Sequence, residues 1–292
     1  MNIPELDNFL KSVLNEDIGT GDITTNACVP EDAVSYGAFI AKEPGVISGL
    51  VVAKRVFELL DETVNMTMLV NDGDAVGKGD TIAKITGSSR AILTGERTAL
   101  NILQHLSGIA TKTAEAVSEI QGTKTKILDT RKTTPGLRSL EKYAVRSGGG
   151  TNHRFNLADG VLIKDNHIKA SGGITNAVNQ VRQKQQEKQV KIKVSNDSFS
   201  PPPIMLIEVE TESLTQVKEA LSTGADIIML DNMPPEMMAE AVTIINGRAL
   251  TEASGNMGER DLKTIAETGV DFISIGALTH SVKAMDISLR FE

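Results

Sequence analysis

The chain has 292 residues, 40% of them hydrophobic and 23% charged, with 3% aromatic residues and a net charge of −8. That length allows one large domain or two modest ones, and the acidic balance with few rings excludes a general nucleic-acid binder. A lone cysteine, Cys28, excludes an internal disulfide and fits a reducing compartment, and no apolar run reaches the roughly 20 residues of a membrane helix.

The N-terminus, MNIPELDNFLKSVLNEDIG, is acidic and amphipathic without the cationic start of a signal peptide, so a cytoplasmic protein is expected. Its pattern predicts a helix over 4–15, followed by a turn-rich stretch over 16–25. Residues 33–40 alternate like a strand, and 49–60 carry helical spacing at Leu50, Ala53, Val56, Phe57 and Leu60. Residues 71–85 place Gly73, Gly77 and Gly79 around short apolar strands, and 91–107 form a long helix candidate. Cys28 reads as a small buried apolar residue, and His105 and His280 as packing residues in apolar helices.

From about residue 124 short apolar runs recur, each ending on a polar or charged group: Ile127-Leu128 before Asp129, Val161–Ile163 before Lys164, Met205–Ile207 before Glu208 and Glu210, Ile227–Leu230 before Asp231, Ala249–Ala253 before Ser254, and Phe272–Ile275 before Gly276. Glu210 and Asp231 stand 21 residues apart, as do Ser254 and Ile275. A strand, a turn, a helix and a second turn fill that length, so successive βα units and a parallel α/β barrel, closed or open, are expected. Helices are predicted over 213–221 and 235–245, while 190–203, with three consecutive prolines, reads as a surface loop.

Function in such a fold sits at the carboxyl ends of the strands. The segment 127–168 carries seven Lys and Arg against four acids around Gly148-Gly149-Gly150, a cationic island of net +3 in an acidic chain. Local field decides where a small polyanion is held, and arginine's planar fork reads carboxylates and phosphates two bonds at a time. The glycines read either as a flexible loop or as close backbone approach to a ligand. Glu210 and Asp231 would be carboxylates at neighbouring strand ends, hard oxygen ligands suited to Mg²⁺. Ser254-Gly255-Asn256 and Gly276 follow the last two strands, where backbone N–H groups commonly bind phosphate. His153 and His167 stay ambiguous between structural and ligand-facing roles. No CxxC, HExxH or Walker-type loop occurs, so zinc hydrolysis and P-loop chemistry lack support.

Residues 16–25, GERTALNILQHLSGIAT (95–111), DTRKTTPGLRSLEKYAVRSGGGTNHR, KDNHI, EVE, MLDNM, EASGN and SIGALTHS together resemble the quinolinate phosphoribosyltransferase family, in family order across almost the whole chain. The resemblance implies a type II phosphoribosyltransferase: an N-terminal α/β sandwich domain over 1–112, with 280–292 packing back on it, and an open seven-stranded α/β barrel over 113–279. It implies a homodimer with sites shared between subunits, Arg97 being the arginine inserted by the neighbouring subunit. Arg131, His153, Arg154 and Lys164 match residues around a pyridine dicarboxylate, and Thr130 is a further substrate-binding residue. Lys132, Glu210 and Asp231 match groups at the ribose, pyrophosphate and Mg²⁺, with Glu210 and Asp231 as metal ligands. Ser254, Gly255, Asn256 and Gly276 fall in loops holding the 5-phosphate. The implied substrates are quinolinate and 5-phosphoribosyl-1-pyrophosphate (PRPP).

Three other readings compete. A relative of the molybdate-operon type shares this fold with a different substrate, although the full set Arg97, Arg131, Arg154 and Lys164 favours quinolinate. A barrel lyase or aldolase would use Lys164 as a Schiff base in a desolvated pocket. A carrier module rests on NDGDAVGKGDTIAKI alone, which lacks an exposed lysine at a hairpin tip.

Overall fold

The computed structural model describes residues 3–194 and 205–291. In chain order the elements begin with α1 (Ile3–Ile18), α2 (Ile23–Cys28), β1 (Val34–Ala41), β2 (Gly45–Val46), α3 (Leu50–Leu60), β3 (Asn65–Met68), β4 (Ala75–Val76), β5 (Thr81–Ser88) and α4 (Ser89–Glu119). They continue with β6 (Lys126–Leu128), α5 (Arg138–Ser147), β7 (Val161–Ile163), α6 (Asp165–Ser171), α7 (Ile174–Val194) and β8 (Ile207–Thr211). The last are α8 (Leu214–Ser222), β9 (Ile227–Asp231), α9 (Pro235–Ile245), β10 (Leu250–Ser254), α10 (Leu262–Glu267), β11 (Phe272–Ser274), α11 (Ala277–His280) and β12 (Ile287–Phe291).

These elements form two compact units. One comprises Met1–Glu115, Thr133–Gly150 and Leu278–Glu292, and the other Ala116–Lys132 and Thr151–Ala277. Residues 133–150, which carry α5, therefore cluster with the N-terminal part of the chain, and the cationic island divides: Arg138, Lys142 and Arg146 lie in the first unit, Arg131, His153, Arg154 and Lys164 in the second.

The first unit is an antiparallel sheet of order β12-β1-β5-β3 with a separate β2-β4 pair and its helices. Leu6, Leu10 and Leu14 of α1, four residues apart, are all buried, as one stripe of an amphipathic helix should be. Arg55 of α3 clamps Asp7 of α1 with two hydrogen bonds of 2.8 Å. Two glycines of the run pack against a helix. A Cβ at Gly148 would lie 2.7 Å from Thr113 Cβ, and one at Gly150 2.7 Å from Thr113 Cγ2, so these glycines let the end of α5 close on α4.

Two further expectations fail in this unit. Cys28 is exposed, because α2 is too short to bury more than Thr25. His105 is not an apolar packing residue: its Nε2 meets Glu141 Oε1 at 2.9 Å, and fully buried Glu141 also accepts the Thr134 N–H at 3.0 Å. Burial alone would raise the Glu141 carboxyl, but the bonds from His105 and Thr134 outweigh it and hold it below its usual range. His280 is exposed and bonds its neighbour Ser281.

The second unit is a parallel sheet of order β6-β11-β10-β9-β8-β7. It has six strands among the described residues rather than seven. The place of a seventh is taken by a single parallel bridge, Thr151 to Leu128 of β6, because the chain there offers only one ladder position before the turns at 152–160. The helices after β8 and β9 fall where the spacing placed them, Ser213 capping α8 by accepting from the Gln216 N–H. The loop expected over 190–203 is partly overturned: 190–194 complete α7, since prolines restrict only their own positions and the residue before. Residues 195–204 lie outside the described residues.

At the amino ends of the strands, acids receive the N–H groups of the neighbouring strand. Asp226 accepts from Ile207 N at 2.8 Å, and Asp271 accepts from Thr251 N at 2.9 Å and Thr251 Oγ1 at 2.8 Å. Burial would raise the Asp271 carboxyl, but Lys124 Nζ at 2.7 Å and Thr251 pull it below 3.8. A carboxylate stabilised in this way contributes above its unfolded value and loses the contribution as pH falls. Asp271→Asn should therefore lower the melting temperature by about 2–4 °C at pH 7, and the gap to wild type should close below pH 3.8 in a calorimetric pH series.

Candidate active site

In a parallel sheet directly paired residues project to the same side, and every second residue joins them. Glu208 pairs with Leu162 and Ile227, Glu210 with Met229, Met229 with Glu252, and Asp231 with Ser254. Glu208, Glu210, Asp231, Glu252 and Ser254 consequently share one face. The other positions of β8, Ile207, Val209 and Thr211, are buried on the opposite face.

The proposed site residues of this unit all follow the carboxyl ends of parallel segments. Thr130, Arg131 and Lys132 come after β6, His153 and Arg154 after the Thr151 bridge, and Lys164 after β7. Glu210 and Asp231 close β8 and β9, Ser254–Asn256 follow β10, and Gly276 precedes α11. Arg97 is separate: it is exposed on α4 of the first unit.

The local geometry joins several of them. Lys164 extends the β7 register and its Nζ sits 2.6 Å from Glu210 Oε2, while the Asp165 N–H reaches Glu210 Oε1 at 3.3 Å. This lysine is 45% exposed and ion-paired, unlike the desolvated amine an imine-forming enzyme requires. Thr130 Oγ1 accepts the Lys132 N–H at 3.0 Å, and Arg154 Nη1 donates to Gly160 O at 3.2 Å. Burial, and after it the charge of Arg131, push the Arg154 pKa down. His167 is structural: its Nδ1 accepts the Lys164 N–H at 2.9 Å and caps α6.

The turn after β10 is tightly built. Asn232, in the left-handed region at φ 56°, donates its N–H to Ser254 O at 3.0 Å and its Nδ2 to Asp231 Oδ2 at 2.6 Å. Gly255 has φ +97°, and a Cβ there would fall 2.7 Å from the Asn232 backbone nitrogen. Only glycine fits. Asn256, at φ 49°, starts the short 3₁₀ turn Met257–Glu259.

Beneath these groups lies a cluster that sequence reasoning did not single out. His153 Nε2 stands 3.1 Å from Glu208 Oε2 and 3.4 Å from Glu252 Oε2, its Nδ1 accepts the Arg154 N–H at 2.8 Å, and its own N–H goes to buried Asp129 at 2.8 Å. Burial would lower the imidazole pKa, but the two carboxylates raise it to about 10. An N–H aimed at Nδ1 argues the other way, since a second ring proton would face that donor head-on. We take the ring as the Nε2–H tautomer. Burial raises Glu208 most, the bond from His153 opposes it, and repulsion from Glu252 adds to the rise, bringing it to about 7. The three groups offer ligand atoms within 4.8 Å of one another, and Nε2 lies at hydrogen-bonding distance from Glu208 Oε2. The signal for this cluster was present: in EVE and TEAS each additional glutamate stands two residues before a proposed site residue, hence on the same face.

Carboxylates beside paired cations at the strand ends of an open parallel sheet place the chain among the α/β-barrel enzymes. Residues 22–107 match the family described as Quinolinate phosphoribosyl transferase, N-terminal domain, and residues 109–290 match its C-terminal domain. The chain belongs to the quinolinate phosphoribosyltransferase family. A probable nicotinate-nucleotide pyrophosphorylase (carboxylating) of Bacillus subtilis (strain 168) is 45% identical over 289 residues, 99% of this chain and 94% of that protein. A quinolinate phosphoribosyltransferase (decarboxylating) 1b of Nicotiana tabacum is 42% identical, over 99% of this chain and 83% of that protein. Among solved structures, NadC from Streptococcus pyogenes superimposes with a TM-score of 0.89 at 43% identity, covering 100% of this chain and 99% of that one.

Gly255→Ala should abolish the Asn232–Gly255 turn. With the fold kept, as judged by circular dichroism, affinity for a phosphorylated ribose ligand measured by calorimetry should fall by about tenfold or more.

Proposed function

We propose that the chain transfers the phosphoribosyl group of PRPP to the ring nitrogen of quinolinate and releases the 2-carboxylate as CO₂, giving nicotinate mononucleotide and pyrophosphate. The observation that carries this reading is the set of cations Arg131, Arg154 and Lys164 that follow the carboxyl ends of β6, the Thr151 bridge and β7. Such a set suits a dianion, and quinolinate presents two carboxylates on adjacent ring carbons.

In this reading Arg131, Arg154 and Lys164 fix the dicarboxylate with its nitrogen toward the ribose C1. Positioning of this kind can lower a barrier by roughly 7–11 kcal/mol. The nitrogen lone pair forms the N–C1 bond as the C1–oxygen bond breaks and pyrophosphate takes its electron pair. Glu210 and Asp231 lie on the face where positive charge develops at C1, and such charge is most useful in the transition state. The ring nitrogen is now cationic, so the C2–carboxylate bond breaks with its electrons left on C2 beside that cation, and a proton adds to C2. Lys132, exposed on the segment after β6, and solvent are the candidate donors.

Glu210 and Asp231 also fit Mg²⁺. Both are oxygen donors on one face, and each retains acceptor capacity beyond its bonds to Lys164 and Asn232. Mg²⁺ held there would stabilise the negative charge of pyrophosphate. Ser254, Gly255, Asn256 and Gly276 would hold the 5-phosphate. Arg97 would serve the site of a second copy in a homodimer, and the exposed Cys28 thiol is compatible with a reducing cytoplasm.

A coupled assay with quinolinate, PRPP and Mg²⁺ should yield nicotinate mononucleotide and CO₂, and nicotinate in place of quinolinate should yield none. In the same assay Arg154→Ala should raise the quinolinate KM by about tenfold or more and slow turnover. Near-normal kinetics would remove Arg154 from the site.

Shared sites predict complementation. Arg97→Ala and Lys164→Ala subunits, each inactive alone, should recover about half of wild-type activity as verified heterodimers, since one of the two sites in each dimer is then intact. No recovery would sink the dimer reading while leaving the reaction intact.

A further inference from the structure

Glu208 and Glu252 do not belong to the set that would touch substrate, yet they occupy costly positions. They are 4% and 1% exposed, and in each Oε1 is buried with no hydrogen-bond partner among the described residues. Two neighbouring carboxylates in such surroundings disfavour the fold, and apolar side chains of similar volume would avoid the cost. What the pair achieves is local. Their Oε2 atoms converge on His153 Nε2 at 3.1 and 3.4 Å, and the opposite ring nitrogen accepts the Arg154 N–H at 2.8 Å. From the other side Asp129 holds the His153 N–H at 2.8 Å and Asn152 Nδ2 at 2.5 Å.

The ring is thereby gripped at both nitrogens and the backbone, and Arg154 is the next residue along the chain. We infer that Glu208 and Glu252 are positioning residues for the dicarboxylate subsite, holding the His153 ring so that its Nδ1 orients Arg154. This inference rests on the quinolinate reading of the site. It assigns the two glutamates a role in substrate affinity rather than in stability or in PRPP binding. His153, 14% exposed at its side chain, transmits their grip from the buried floor to the rim.

The test separates acceptor from volume. Glu208→Met keeps the bulk and removes the acceptor; Glu208→Gln keeps both. Glu208→Met should raise the quinolinate KM by about tenfold and leave the PRPP KM within about twofold. Glu208→Gln should restore the quinolinate KM to within about twofold of wild type. An unchanged quinolinate KM in Glu208→Met, or an equal rise in both KM values, would overturn the inference.

A second measurement needs neither turnover nor a variant of Glu208. With ¹⁵N-histidine label only four imidazoles contribute, and His153→Gln identifies the ring in question. Its Nε2–H should resonate downfield and exchange slowly with solvent. Free exchange, like that of exposed His280, would equally overturn the clamp, including where Glu208→Met does not fold. Failure of wild-type protein to convert quinolinate would fail the substrate reading instead, and the exchange measurement would still judge the clamp.

Discussion

The second unit is governed by the placement of carboxylates on one face of a parallel sheet. Strand alternation brings Glu208, Glu210, Asp231 and Glu252 to the same side, where each must be neutralised or hydrogen-bonded. The responses are specific. Lys164 meets Glu210, Asn232 meets Asp231, and the His153 ring meets Glu208 and Glu252. The residues that neutralise the acids are the ones that would face substrate, so the electrostatics of folding and of binding are one problem here.

This explains how a chain of net charge −8 can carry a site for polyanions. The acids act as a buried layer that organises cations at the strand ends. Burial and then the charge of Arg131 lower the Arg154 pKa. The turn after β10 contributes differently, through backbone: Gly255 and Asn232 adopt left-handed conformations against each other, leaving no room for a side chain at the glycine. Charge and backbone geometry are thus supplied by separate loops of one sheet.

Much of this was legible from the residues. The 21-residue spacing located β8 to β11, and capping chemistry at Ser213 and Pro235 located the intervening helices. The charged strand ends followed directly. What escaped had a common cause: it depended on neighbours remote in sequence. Gly148 looked like a hinge because nothing local reveals that Thr113 stands against it. His105 looked apolar because its partner, Glu141, is on another helix. Cys28 looked buried because the shortness of α2 was not foreseen. Glu208 and Glu252 were the nearest miss, since period-two alternation places them beside residues already chosen, and only their meeting with His153 required the fold.

The first unit's sheet has a consequence for how the protein is made. β1 lies between β5 and β12, pairing Gly37 with Phe291 through Ala41 with Ile287, so one side of a strand made early waits for the last one made. Local pairing of β1 with β5 can precede it, but the ladder to β12 closes a loop of some 250 residues. Until the ribosome has delivered residues 287–291, β1 presents an open edge beside buried Phe39 and Ala41. The nascent chain must keep that edge from pairing with other chains while the whole second unit emerges.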